Sequence, residues 1–245
     1  MRQKFRKLLL MLSMVMFPVT LYYFSPVLII GAGLQGIISG SFFIFISMLL
    51  GSIIFGRLFC AYVCPAGGLQ EYACTIIDKM PKRRWRNYIK YAIWLLLLTA
   101  VIYTFVTVEF SEIDFFYQTN HGISVSNLFS YIVYYGIILV ILISSLIAGK
   151  RAFCHYFCWM APFFVTGIKL RRFLHLPGLS INKEVDRCIS CNRCSVVCPM
   201  SLDLQKLSDR SIIDSVDCIL CGSCVDYCPE KCLYICLSRG NYHGK

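Results

Sequence analysis

Charge is scarce in this chain of 245 residues. Only 15% are Asp, Glu, Lys or Arg, whereas 58% are hydrophobic. A soluble domain carries roughly 25% charged residues, so the balance excludes an ordinary water-soluble fold and fits a membrane protein with a modest polar attachment. Acidic side chains are the scarcer sign, 13 against 24 Lys and Arg. Cysteine is missing from the first 59 residues and dense after Arg187. A secreted disulfide framework would be a short, polar, loop-rich chain, and that class is excluded too. The chain also lacks a P-loop, a G-x-G-x-x-G fingerprint and a convincing flavin site.

The net charge of +11 does not point to nucleic acid. The basic residues cluster in 2–7, 79–86, 150–151 and 169–172, all beside apolar segments, as expected opposite anionic headgroups. Four long apolar runs, 8–24, 34–55, 89–108 and 128–148, predict four transmembrane helices. No small-x-small cleavage site follows the first run, which argues against a signal peptide. The connection "VEFSEIDFFYQTNHG" has three acidic residues and no Lys or Arg. By the positive-inside rule, both termini and the middle loop are cytoplasmic, in a multi-pass protein of the inner or plasma membrane.

What is present is a repeat. "RLFCAYVC" around Cys60 and Cys64 returns 94 residues later as "RAFCHYFC" around Cys154 and Cys158. The expected fold is therefore an α-helical membrane domain over 1–181, built from two parallel repeated hairpins, 1–87 and 88–181. The segments after each cysteine pair, "GLQEYACTIIDKM" and "APFFVTGIKLRRF", are expected to turn along the membrane surface.

From Asn182 the composition changes, and 182–245 reads as a cytoplasmic ferredoxin-like domain. "CISCNRCSVVCP" and "CILCGSCVDYCP" each spell C-x2-C-x2-C-x3-C-P. This spacing is the bacterial ferredoxin run, whose fourth Cys ligates the other cluster. Cys188, Cys191, Cys194 and Cys228 would hold one [4Fe-4S] cluster, and Cys218, Cys221, Cys224 and Cys198 a second. Zinc usually takes one isolated set of four ligands. Pro199 and Pro229 constrain the fourth cysteines, and Gly222 lets the backbone approach a cluster or simply makes a turn. Cys232 and Cys236 follow Cys228 at intervals of four and would share its face on a helix; packing thiols are the simpler reading, as for Cys74.

Cysteines at i and i+4 project from one helical face if the exit segment stays helical. One such pair cannot complete a four-thiolate site, but two can. Cys60, Cys64, Cys154 and Cys158 are thus a candidate third iron–sulfur site at the membrane edge, against a reading as packing or redox thiols. Arg57 and Arg151 would compensate its charge or serve as positive-inside anchors. His155, Tyr156, Tyr62 and Trp159 would lie nearby, where they could serve a quinol or populate the interface as aromatic residues do.

These motifs resemble the membrane polyferredoxin family that includes the NapH-type ferredoxin proteins of nitrate respiration. They are also similar to the membrane and ferredoxin portion of NosR-type proteins. The resemblance implies quinol-linked electron transfer through four membrane helices and two cytoplasmic [4Fe-4S] centres. It maps the family's C-x3-C-P signature onto Cys60, Cys64 and Pro65. The second copy, Cys154 and Cys158, has Trp159 where the signature has Pro, and Pro162 comes three residues later.

The function expected is electron transfer between the quinone pool and a soluble or membrane redox partner, with lipid as the surrounding medium. An oxidoreductase subunit is one form of this, although the chain reads more securely as a carrier than as an enzyme. The alternatives are a maturation or regulatory protein that reduces a metalloenzyme, or a subunit of an ion-translocating complex. Few ionisable residues interrupt the apolar runs, which weighs against ion translocation.

Overall fold

The computed structural model describes residues 1–74, 79–81, 85–205, 212–213 and 215–238. Part of the basic stretch 79–86 and the carboxyl-terminal end of the expected ferredoxin domain lie outside the described residues.

The four-helix expectation fails in the first 55 residues. The apolar run 8–24 is not one rod: α1 (Arg2–Val15) ends at Met16, and α2 (Phe17–Thr20) carries Pro18 in its first turn. A short 3-10 turn (Tyr22–Phe24) and an extended Ser25 then lead into α3 (Pro26–Gly33), again with proline at its start. Proline suits a first helical turn and cannot continue a preceding one, so each proline restarts the chain in a new direction. After β1 (Ile37–Ser39), α4 (Gly40–Phe55) has 16 residues. At 1.5 Å per residue that is about 24 Å, short of the roughly 30 Å of hydrocarbon.

The helix break at Gly56, with φ of 58°, leads through α5 (Leu58–Tyr62) to α6 (Pro65–Ala73). Among the described residues, two helices are long and apolar enough to cross a membrane. The first is α7 (Ile89–Thr107), which a 3-10 turn extends back to Arg86; the second, after β2 (Glu112–Asp114), is α8 (Leu128–Ala148). Both lack proline and expose apolar side chains such as Leu96, Val106, Ile132 and Ile147. Two repeated hairpins are not formed either. α7 packs mainly on α3, and α8 on α6 and α9 (Ala152–Tyr156). β1 and β2 pair in parallel, Ile38 opposite Ile113, which ties the start of α4 to the segment beyond α7.

α10 (Ala161–Phe173) packs along α4 rather than lying on a surface. Beyond it comes the small sheet of the tail. β3 (Gly178–Lys183) is central, crossing the expected boundary at 181/182. α11 (Arg193–Val196), β4 (Ile212–Ile213), α12 (Ser223–Asp226) and β5 (Leu233–Ser238) complete the unit. β3 pairs antiparallel with β4 and β5, with Ile181 facing both Ile213 and Ile235. Cys236 therefore sits in a strand, not on a helical face with Cys228, and its sulfur approaches Ser180 Oγ at 4.0 Å. One buried core joins the tail to the rest, running from Ala61, Phe153 and Phe164 to Met200, Leu202 and Ile219.

Candidate functional site

The two copies of the R-x-F-C-x-Y-x-C motif fold alike. Cys60 and Cys154 are each the third residue of a five-residue helix, α5 and α9. Neither helix reaches its second cysteine. The amide of Cys64 donates to Phe59 O at 3.0 Å, and that of Cys158 to Phe153 O at 3.0 Å. Each bond spans five residues and closes the helix in a wide turn. The i,i+4 pair on one helical face is thus replaced by one thiol from a helix and one from the turn that ends it.

Cys60, Cys64, Cys154 and Cys158 nonetheless come together. All four are buried and line a single cavity whose walls are mostly apolar and include Phe17, Leu21, Ile137 and Met160. Burial pushes the thiols of Cys60 and Cys64 up, and that of Cys158 up to about 12. Such thiols stay protonated until a metal displaces the protons. Of the aromatic candidates, Trp159 lines the cavity and donates Nε1–H to Phe24 O at 3.0 Å. His155, Tyr156 and Tyr62 are not part of its lining.

Arg57 also lines this cavity. Its side chain is buried and its Nε lacks a hydrogen-bond partner. A buried donor left unmade costs about 1–3 kcal/mol. A polyanionic group held by the four thiols would give that donor an acceptor, so the residues present fit an iron–sulfur cluster. Burial opposes the charge on Arg57, but Cys60 and Asp217 outweigh it and hold the guanidinium deeper in its protonated range.

Sequence reasoning missed the parts that brace the two copies. Residues of α6, expected on the surface, are buried. Gln70, with no exposed surface, donates Nε2–H to Ala66 O at 2.9 Å and to Cys154 Sγ at 3.1 Å, and its Oε1 accepts from the Phe153 amide at 3.0 Å. Beside it Glu71 receives Arg6 and Arg151, the latter through Nη2 at 2.8 Å. Arg151 also reaches Cys60 O at 2.8 Å. Burial disfavours the Glu71 carboxylate, yet the two arginines outweigh it and lower its pKa to about 2. The only sequence signal was an adjacent polar pair, Gln70-Glu71, in an otherwise small and apolar segment.

In the tail, Cys188, Cys191, Cys194 and Cys228 line one cavity, so three thiols of the first run meet the last thiol of the second. Cys198 lies on the other side. Burial, then the neighbouring Cys221 and Cys198, push Cys218 up to about 12. Burial again dominates at Cys224, where Cys218, Cys221 and Cys198 add to the upward shift. The two runs repeat each other's backbone. Positive φ values occur at Ser190 and Leu220, at Asn192 and Gly222, and at Ser201 and Lys231, each pair thirty residues apart. Alternation of this kind turns successive amides inward and makes the concave, anion-binding backbone of iron–sulfur sites. Among the described residues, no three His, Cys, Asp or Glu are close enough to hold one metal ion.

The second run is also where α1 docks. Gln3 Nε2–H donates to Cys221 O at 3.0 Å, and Arg2 to Gly222 O at 2.9 Å and to Asp226. From the other side Arg57 Nη1–H donates to Asp217 Oδ1 at 3.2 Å, next to Cys218. Cys74 closes α6, half-buried, near Lys150 and Pro199.

The site gathers cysteines in the sets that iron–sulfur clusters take, and the comparison with known proteins points the same way. A family described as "4Fe-4S dicluster domain" matches residues 187–233, and another of the same description matches 169–203. A "4Fe-4S binding domain" family matches twice, over 38–86 and 131–177, once for each cysteine pair. The chain is 24% identical over 207 residues to the "Putative electron transport protein YccM" of Escherichia coli K12, covering 80% of this chain and 55% of that protein. It is 25% identical over 197 residues to the "Ferredoxin-type protein NapH" of Haemophilus influenzae, covering 76% of this chain and 64% of that one. A 70-residue stretch, 24% of the chain, is 36% identical to "NADH-quinone oxidoreductase subunit I" of Pelobacter propionicus, covering 38% of that protein. The chain thus spans between half and two thirds of the two longer relatives. No solved structure matches it. It is related to the iron–sulfur-binding proteins of the NapH and YccM kind at about a quarter identity, a relationship that supports electron transfer.

Proposed function

We propose that this protein passes electrons between a membrane quinone pool and a redox partner, using three iron–sulfur sites. Cys188, Cys191, Cys194 and Cys228 hold one [4Fe-4S] cluster, and Cys218, Cys221, Cys224 and Cys198 the second. Cys60, Cys64, Cys154 and Cys158 hold a third. Bound clusters supply one-electron steps, which lets a two-electron carrier such as a quinone exchange with a one-electron partner. The likeness to NosR-type proteins rests on the same cysteine motifs.

The observation that carries this reading is the position of Arg57. It lines the four-thiol cavity and also bonds Asp217, adjacent to the first cysteine of the second ferredoxin run. The membrane-edge site and the tail are thereby in contact through one buried side chain. The protein's own contribution is to exclude water, compensate thiolate charge with Arg57 and Arg151, and fix the spacing between sites. Residues 1–181 act as the membrane-associated unit and 182–245 as the ferredoxin-like unit. α7 and α8 serve as the membrane crossings, with both termini on the cytoplasmic side.

Full-length protein purified anaerobically tests this. Iron and acid-labile sulfide should correspond to three clusters, and Cys154→Ser should lower the content to that of the tail alone. Folded, active protein with both tail clusters and no iron between the membrane-edge cysteines would remove the third site. Reduction by dithionite but never by a quinol in membranes would remove the quinone.

A further inference from the structure

The first tail cavity is lined by five thiols, not four. Cys232 joins Cys188, Cys191, Cys194 and Cys228, and it is 3% exposed. Its sulfur lies 3.4 Å from that of Cys228, and it also interacts with the thiol of Cys188. Two sulfurs in van der Waals contact cannot cap different corners of one cluster, because each thiolate of a four-iron group binds its own iron. Cys228 and Cys232 are therefore within reach of the same corner.

The fold itself does not ask for a thiol there. The two ferredoxin runs share their backbone conformation at an offset of thirty residues, including the positive φ of 49° at both Ser201 and Lys231. Next after each of these comes the position in question, Leu202 in the first run and Cys232 in the second. Leu202 is 2% exposed and packs in the core. The same site in the same turn thus accepts an aliphatic side chain, and in the second run it carries a sulfur that lines the cavity. The position is also held firmly. Cys232 O accepts from the Glu184 amide at 2.9 Å, and the next residue, Leu233, begins β5 opposite Lys183.

We propose that Cys232 is a reserve ligand for the cluster assigned to Cys188, Cys191, Cys194 and Cys228, able to replace Cys228 on its iron. This rests on the ligand assignment given above. In the exchange the Fe–S bond to Cys228 breaks and one to Cys232 forms, while the proton of the Cys232 thiol passes to the departing Cys228 sulfur. No electron is gained or lost, so no oxidant or reductant is needed. The turn carrying Cys228 can then move away from the cluster without opening the site.

The test uses the full chain, purified anaerobically, with iron content, EPR of the reduced protein and circular dichroism as readouts. Cys228→Ala should keep its iron, with an altered EPR line shape. Cys194→Ala and the double variant Cys228→Ala/Cys232→Leu should each lose roughly the four irons of one cluster. Cys232→Leu alone, copying Leu202, should fold and load normally but lose that cluster to a chelator several-fold faster than wild type. Folded Cys228→Ala that loses the cluster as completely as Cys194→Ala would overturn the proposal. If Cys228→Ala does not accumulate as folded protein, Cys232→Leu decides: chelation at the wild-type rate overturns it. Wild-type protein with no iron in this cavity would instead defeat the ligand assignment.

Discussion

Arg57 and Asp217, 160 residues apart, meet through a 3.2 Å hydrogen bond from Nη1 to Oδ1, with the arginine side chain buried. Lys90, at the start of α7, approaches the same carboxylate oxygen at 3.5 Å. Three segments therefore meet at one acidic group: the turn before α5, the start of α7 and the second ferredoxin run. Removing the carboxylate leaves two buried cations without it, a situation worth about 3–5 kcal/mol where buried pairs have been broken.

Asp217→Asn should loosen the tail from the four-cysteine site. Limited proteolysis would cut between the two units sooner. Reduction of the tail by quinol should slow by roughly tenfold or more, the effect of about 1.4 kcal/mol on a barrier. Unchanged rates in a variant with an intact iron content would show that this contact does not set the transfer distance.

Glu71 predicts an acid limb in the stability profile. Its folded pKa of about 2 lies below the value of about 4.3 for a free glutamate. Its contribution is therefore fully present above about pH 4.3 and is lost as the pH falls toward 2. Thermal unfolding in detergent between pH 7 and pH 3 should show this decline. Glu71→Gln should remove the Glu71 share of it, leaving that of Asp226, and lower stability at pH 7, by about 3–5 kcal/mol for two arginines left without their carboxylate.

Gln70→Leu tests whether a cluster sits against Cys154. The substitution removes the hydrogen bond to Cys154 Sγ. Hydrogen bonds to ligand sulfurs are among the determinants of cluster potential and favour the more negative, reduced state. A bond of about 1 kcal/mol corresponds to roughly 40 mV for one electron. Redox titration followed by EPR should find one centre shifted negative by that order, with the other two unmoved.

An epitope inserted beside Asp114, in the exposed connection between α7 and α8, tests the orientation together with a second epitope ahead of Met1. Antibody reaching the Asp114 site from outside intact cells, and the amino-terminal site only after permeabilisation, is the expected result. The reverse pattern would invert the assignment.

The sequence was most informative where spacing itself dictates geometry. The ferredoxin runs repeat each other's turns thirty residues apart, and Cys188, Cys191, Cys194 and Cys228 line one cavity together with Cys232, which the spacing did not assign. Hydropathy was a poorer guide to the first 55 residues. It counts apolar side chains and is blind to Pro18, which falls inside the apparent span 8–24, and to Pro26, which starts another short helix just beyond it. The repeat directed attention to both cysteine pairs, which line one cavity, yet helical periodicity misjudged how each pair is presented, because the helices stop at Tyr62 and Tyr156. Gln70 and Glu71 were illegible for a different reason. Their burial depends on Arg6, Arg151 and Phe153, partners far away in the chain that no local pattern announces.

The crossed arrangement of the tail cysteines bears on the order in which the protein is made. With ligands as assigned, the membrane-edge set is complete once Cys158 has left the ribosome, before either tail set. The set that includes Cys198 closes with Cys224, and the set that begins at Cys188 waits for Cys228. Cys188, Cys191 and Cys194 are thus exposed as an unfinished trio throughout synthesis of the intervening residues. A nascent chain arrested between 198 and 218 would present Cys188, Cys191 and Cys194 to the cell's iron–sulfur assembly machinery without Cys228, with only Cys198, assigned to the other set, beside them.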